Sequence, residues 1–277
     1  MTQAAAVENK KTKKRRFTFK RHYFAFPYFF LSGLFIVIPL IILFVYAFRG
    51  ADGGFTFSNF ASFFTTPHVL RAMGNSLLIG FATTALCLAL AYPVALILAN
   101  SRFNKTMILV LMFVLPMYIN SLLRTLAIKS LFDIMGIENN FWRITIAHVY
   151  DFFPFMLLPI YTVLVNMDKS YLEASNDLGG NTLKTWARVT LPLSVPGIVS
   201  GILMVFMPTV SMFAVRDIVI NREEWPMFGN IIDGMFRTES MYGLGSAYAM
   251  ILLVMVMVTM VVAGRVNAKR QREVQGK

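Results

Sequence analysis

Two carboxylates set in otherwise apolar sequence, Asp151 and Asp217, are the side chains best placed for chemistry in this chain. A charged group at membrane depth is expensive and faces a cavity or a partner. Both acids fall near the outer ends of apolar segments, and Tyr118, Trp142, Tyr150 and Phe213 are candidate companions. A carboxylate among aromatic faces suits an ammonium ligand, each ring adding about 0.5–2 kcal/mol of cation–π attraction. The competing reading is structural: Asp217 pairs with Arg216 or Arg222, Asp151 pairs with Arg124 or Arg143, and the rings pack or form an interfacial belt. Covalent chemistry has no support. Neither G-x-S-x-G nor H-E-x-x-H occurs. His22, His68 and His148 are scattered without metal-ligand spacing, and Cys87 is alone, so neither a metal site nor a disulfide framework is expected. The run from Gly179 to Thr185 resembles a phosphate loop, yet a Walker A sequence needs Gly directly before Lys184, where Leu183 stands. The catalytic set is therefore empty, and any nucleotide chemistry belongs to another polypeptide.

The elements that must hold these residues are membrane spans. The 277-residue chain is 57% hydrophobic and 14% charged, whereas an ordinary soluble domain is about a quarter charged. A span needs about 20 mostly apolar residues, and six segments qualify: Tyr28–Phe48, Ser76–Leu98, Met107–Ile128, Ile144–Val165, Leu193–Val215 and Gly243–Ala263. Their runs are continuous rather than alternating, which excludes a β-barrel. The expected fold is an all-α membrane protein with six transmembrane helices. Residues 1–22 form a basic tail, 23–265 the membrane domain and 266–277 a second basic tail. The first span, at 21 residues and without an A-x-A site, reads as an uncleaved helix rather than a signal peptide.

The net charge of +12 is distributed by topology. With a cytoplasmic N-terminus, 18 of the 26 basic residues fall on the inner side, which satisfies the positive-inside rule and puts both termini in the cytoplasm. Membrane lipid is the expected partner of the tails, and nucleic acid is not. Between the spans, Arg49–Arg71 reads as external with a short helix, Asn100–Lys105 as a tight inner turn, Leu131–Arg143 as an outer connection broken at Gly136, and Asp217–Tyr242 as the longest outer loop. Pro39, Pro93, Pro116, Pro154, Pro159 and Pro208 fall inside spans, where kinks are tolerated. Gly197 and Gly201 make a G-x-x-x-G step for close helix approach.

One inner loop, 168–192, is polar and helix-forming. Asp168 or Ser170 can cap a short helix, with Ser170-x-x-Glu173 as a capping box; Gly179-Gly180 reads as a helix stop, and Asn181 or Thr182 as a restart carrying Leu183, Trp186, Ala187 and Thr190 at helical spacing. Small residues on one side and an apolar anchor on the other suit insertion into a partner's groove. The stretch resembles the EAA loop of binding-protein-dependent ABC importer permeases: Glu173, Ala174, Gly179, Leu191 and Pro192 match that pattern, with Ser175 for its second Ala and Val189 for its Ile.

The resemblance extends over roughly residues 70–265. Leu115-Pro116 with Asn120–Arg124, Leu157–Tyr161, Pro196–Ile198 and Met207–Thr209 through Phe213 to Asp217 are similar to spermidine/putrescine permeases, while Asp151 and Arg216 depart from them. It implies a type I importer permease of a cytoplasmic (inner) membrane, non-catalytic itself. The implied partners are a second permease subunit, a dimer of ATP-binding subunits holding ATP and Mg, and an extracytoplasmic substrate-binding protein. It assigns ATPase coupling to Glu173, Ala174, Ser175, Asp177, Leu178, Gly179, Gly180 and Trp186, with a bulky residue at Gly179 expected to clash where the backbone comes close to the partner. The substrate pathway falls to Asp217, Phe213, Asp151 and Tyr118, with no resident metal or cofactor on this chain. A thiamine or oxyanion permease, or a secondary transporter, is the alternative.

Overall fold

The protein is described by a computed structural model covering residues 26–50, 52–100, 108–220 and 224–274. The basic tail 1–22, most of the inner turn Asn100–Lys105, and Arg222 lie outside the described residues. Among those residues every regular element is a helix, joined only by an isolated Arg49–Phe55 bridge.

The chain divides into a leading unit ending at Leu43 and a main unit from Phe44. The leading unit carries most of α1 (Pro27–Ala47), a helix apolar on every face with a π turn at Gly33–Val37. Such all-round apolarity belongs to a helix in lipid or a core.

In the main unit, α2 (Ser58–Thr65) is the short helix expected in the first outer connection. Asn59 Nδ2 ties it back, donating to the carbonyls of Ala47 and Arg49, both at 3.0 Å. The next helix, α3 (Pro67–Ala99), starts nine residues before the expected Ser76. Pro67 supplies a pre-set first turn and nothing after it breaks the helix, so His68 and Arg71 belong to α3 and not to a loop.

The third expected span departs most. α4 (Ile108–Val114) runs into a 3₁₀ turn at Leu115–Tyr118, the chain opens at Ile119-Asn120, and α5 (Ser121–Met135) leaves at 95°. Pro116 removes a backbone donor, and Asn120 Oδ1 accepts the Leu122 N–H at 2.9 Å, starting a new helix where Met107–Ile128 was expected to continue. α5 ends where Gly136 takes φ +65°. Then α6 (Asn140–Val165) begins four residues before Ile144, with Asn139 Oδ1 accepting the Trp142 N–H. After the inner loop come α9 (Leu191–Ser211), α10 (Ala214–Val219), α11 (Phe228–Phe236) and α12 (Tyr242–Val274), with α7 and α8 taken up below. Five helices are long and apolar enough to cross a membrane, or six with the bent pair as one span, among the described residues.

The core forms where α3, α6 and α9 meet. Cys87, Met156, Leu157, Ile160 and Val205 are fully buried there. The G-x-x-x-G step does its expected work: a Cβ on Gly197 would lie 2.8 Å from the Pro159 carbonyl, and one on Gly201 2.7 Å from Met156 Sδ. The long outer loop is not a loop throughout. Residues 224–236 fold back so that Met227 and Phe228 are fully buried, with the Phe228 N–H donating to Ser76 Oγ at 2.9 Å and Asn75 Nδ2 to the Pro226 carbonyl at 2.9 Å. Phe228 packs against Phe63 and Tyr248, and Pro226 stands before the helix that starts at Phe228, where it interrupts no hydrogen bond of that helix.

Candidate functional site: an inner elbow and an outer carboxylate bend

The inner loop folds into α7 (Ser170–Asp177) and α8 (Thr182–Thr185), back to back across a tight turn. At its start Asp168 is the side chain that caps, and the Ser170 capping box does not form. Lys169 holds the cap position without a side-chain bond, and Asp168 Oδ1 instead accepts the Ser170 N–H at 2.9 Å. The helix begins one residue earlier than the box requires, so Ser170 is already inside it. That backbone bond holds the Asp168 carboxyl below its usual range.

Gly179 ends α7 in the left-handed conformation, φ +75°, the usual glycine stop. Within this chain a Cβ on Gly179 meets nothing within 4 Å, so the clash expected of a bulky residue there is with a partner seated on the elbow. The crowded residue is Gly180, where a Cβ would fall 2.6 Å from the Ser175 carbonyl and 2.7 Å from Ser175 Oγ. That carbonyl accepts the Gly180 N–H at 2.8 Å, Ser175 Oγ lies 2.8 Å from Thr185 Oγ1, and Asn181 Oδ1 accepts the Lys184 N–H at 2.9 Å. These bonds stitch the two helices into one elbow.

The elbow does not close at Leu191-Pro192. From α8 the helix continues through a π turn at Trp186–Thr190 straight into α9, a single 30-residue run from Thr182 to Ser211. Pro192 lies inside that run and has no N–H to give its hydrogen-bond ladder. The faces of the elbow differ. Leu178 is 90% and Leu183 71% exposed, with Ala174, Asp177 and Gly179 exposed beside them. Trp186 turns the other way, packing edge-on to Tyr92 of α3 with ring centroids 6.2 Å apart. Between elbow and bundle lies a crevice of ≈ 720 Å³ lined by Glu173, Trp186, Thr185, Lys169, Leu164 and Met167. Glu173 therefore borders the crevice.

At the other end, Asp217 sits in α10, after α9 breaks at Met212-Phe213. Arg216 Nη1 lies 2.9 Å from Asp217 Oδ1, and Asn230 Nδ2 donates to the same oxygen at 2.6 Å and to the Phe213 carbonyl at 3.2 Å. Arg216 Nε also donates to the Trp225 carbonyl at 3.1 Å, holding a residue with φ +132°. Asp217 thus keeps the arginine pairing anticipated for it while its side chain stays 21% exposed. Phe213 lines an apolar groove of ≈ 410 Å³ with Phe236, Leu252 and Asp233, and Asp233 already binds Arg237 at 2.7 Å.

Asp151 and Tyr118 are not brought into this group. Asp151 lies in the twelfth position of α6, well inside the helix instead of near its outer end, and is 4% exposed. Arg124 Nη2 of α5 sits 3.2 Å from its Oδ1, and Thr125 Oγ1 donates weakly to Oδ2 at 3.4 Å. The ring of Tyr150 faces that same guanidinium at 5.9 Å. Tyr118, 84% exposed, marks the break between α4 and α5. Asn230 and Tyr92 were missed in sequence. Asn230 stands in a stretch that reads as loop, whereas a phenol inside an apolar span always needs a partner, a signal that Tyr92 did carry.

A solved structure of a bacterial ABC transporter involved in the import of the acidic polysaccharide alginate superimposes with a TM-score of 0.64 at 14% identity, over 90% of this chain and 96% of its own. The same transporter type in complex with an alginate pentasaccharide-bound periplasmic protein gives 0.63 at 15% identity, over 87% and 91%. Both likenesses are of fold: the helices of this chain are arranged as in those transporters. No family model matches the chain. The spermidine/putrescine transport system permease protein PotB of Haemophilus influenzae is 30% identical over 264 residues, 87% of this chain and 92% of that protein. The chain belongs to that PotB-type permease family. The Escherichia coli PotB is 27% identical over 87% of this chain and 96% of its own, and the Haemophilus influenzae PotC 27% over 70% and 76%.

Proposed function

We propose that this permease imports polyamines, and that its elbow receives the work of a separate ATPase. The substrate class follows from the relatives named for spermidine and putrescine transport and from the chemistry of the outer bend. A polyamine is a flexible polycation, and carboxylates and aromatic faces are groups that can take the place of its water. Asp217 offers a carboxylate that is still partly accessible, and Phe213, 38% exposed, adds a ring beside it. Tyr118 offers a second exposed ring at the break of the third span. Asp151 serves the bundle, since its charge is already spent on Arg124.

The partners follow the same logic. Similarity to both PotB and PotC suits a pair of like permeases, and an extracytoplasmic binding protein delivers the cation to the outer bend. Two ATP-binding subunits hold ATP and Mg beneath the elbow and seat Leu178, Ala174 and the Gly179 turn. The positive-inside distribution puts both termini on the elbow's side, the cytoplasm of a bacterial inner membrane. Closure of the ATPase dimer pushes the elbow, α9 moves with it, and the bundle alternates its opening from inside to outside.

The observation that carries this mechanism is the 30-residue helix from Thr182 to Ser211, one continuous element from elbow to bundle. Reconstitution with the partner subunits and labelled spermidine or putrescine tests it. Uptake should be ATP-dependent and lost in Asp217→Asn. A wild-type complex that carries only anionic solutes, or an unaffected Asp217→Asn variant, rejects the polyamine pathway.

A further inference from the structure

We propose that Tyr92 is a positioning residue, bracing the joint between elbow and bundle so that the elbow's movement reaches α3 together with α9. This rests on the reading of the elbow as the motor's contact.

The helix that links them has one weak section. Trp186–Thr190 is a π turn, with looser i→i+5 hydrogen bonding than the α-helix around it. Pro192 follows directly and adds no backbone donor. A push on α8 alone is absorbed here as bending, because helices bend where their hydrogen-bond ladder is interrupted. On the near side of the weak section stands Trp186, and on the far side Ser194.

Tyr92 reaches both from a third helix. It is 8% exposed, and its hydroxyl lies 3.0 Å from Ser194 Oγ. Its ring packs edge to face on that of Trp186, at 72° with centroids 6.2 Å apart. Ser194 is itself held, donating to the Leu191 carbonyl at 2.9 Å. The hydroxyl holds the far flank of the π turn through Ser194 and the ring holds the near flank through Trp186, so one side chain spans it. Farther along, α3 is clamped to α9 again, since a Cβ on Gly80 would fall 2.7 Å from Val210. With the elbow stitched internally through Ser175 and Thr185, Tyr92 joins a rigid elbow to the two helices that must move with it.

The test uses the assembled transporter in proteoliposomes, with ATP hydrolysis and labelled spermidine uptake measured together. Tyr92→Phe keeps the ring and deletes the hydroxyl, and Ser194→Ala deletes the opposite group. Each should assemble and hydrolyse ATP while uptake per ATP falls about five-fold, the weight of one buried hydrogen bond. The double variant should be no worse than either single, because both remove the same contact. An unchanged ratio, equal loss of hydrolysis and uptake, failure to assemble, or additive losses overturns the brace. Leu178→Asp, on the exposed face of the elbow, is a separate arm. If it leaves ATPase assembly and uptake intact, the elbow reading itself fails, whatever Tyr92→Phe does.

Discussion

Alanine at Gly180 should open the elbow, whereas asparagine at Gly179 should leave it folded. The two glycines are adjacent but constrained for different reasons. At Gly180 an added methyl lands 2.6 Å from the Ser175 carbonyl and 2.7 Å from Ser175 Oγ, against 3.4–4 Å for ordinary contact. The carbonyl cannot step aside, because it accepts the Gly180 N–H at 2.8 Å, nor can the hydroxyl without leaving Thr185. Overpacking of this kind costs about 1–3 kcal/mol. At Gly179 the space is open and the only constraint is φ +75°, a conformation asparagine adopts readily. Hydrogen exchange of the isolated permease in detergent reads the difference before any partner is added. Amides from Ser175 to Thr185 should exchange about tenfold faster in Gly180→Ala, since 1.4 kcal/mol is a factor of ten, and near the wild-type rate in Gly179→Asn. A wild-type exchange pattern in Gly180→Ala, or faster exchange in Gly179→Asn, refutes the argument that internal packing sets the shape of the elbow.

The bundle makes its own demands. Gly201→Leu should lower the thermal unfolding midpoint in detergent by the cost of overpacking or more, because Met156 Sδ and its carbonyl lie 2.7 and 3.1 Å from the new Cβ. Arg124→Met leaves Asp151 buried without its counter-charge, a loss of about 3–5 kcal/mol, while the paired change Arg124→Met with Asp151→Leu should be close to neutral by the same melting assay; polyamine uptake retained in the paired variant would also place Asp151 off the substrate path. Acid should loosen the start of α7. The folded Asp168 carboxyl is held low by the Ser170 N–H, so its contribution is present in full above its ordinary titration range and is lost as pH falls through the depressed folded value. Exchange of the Ser170 amide should rise over that acid window, and Asp168→Asn should flatten the response.

Much of the architecture was legible because lipid imposes a one-dimensional rule. A span must be long, apolar and free of unpaired charge, so composition along the chain located α3, α6, α9 and α12, and the spacing of Glu173, Gly179 and Pro192 located the elbow. Boundaries were less legible. α3 and α6 start earlier than hydropathy suggests because Pro67 and Asn139 begin helices by capping chemistry, which apolar content does not register. The break at Ile119-Asn120 was hidden for the converse reason: the residues around it are as apolar as a continuous span, and only Pro116 and Asn120 differ.

The sequence alone determined the class of molecule, the family and the existence of a polar elbow, because residue type and spacing along one helix or loop set those. It offered Asp151 and Asp217 each as a pathway group or a salt-bridge partner, and it said nothing of the packing inside the elbow. Tertiary structure supplied their surroundings: Asp151 meets Arg124 from another helix inside the bundle, Asp217 keeps an exposed edge at a bend, and Ser175 folds back on Gly180. It also joined Tyr92 to Trp186 and Ser194, residues about a hundred positions apart. Pairings of that kind depend on how helices pack across a shared core, and no local pattern of residues encodes which two side chains will meet there.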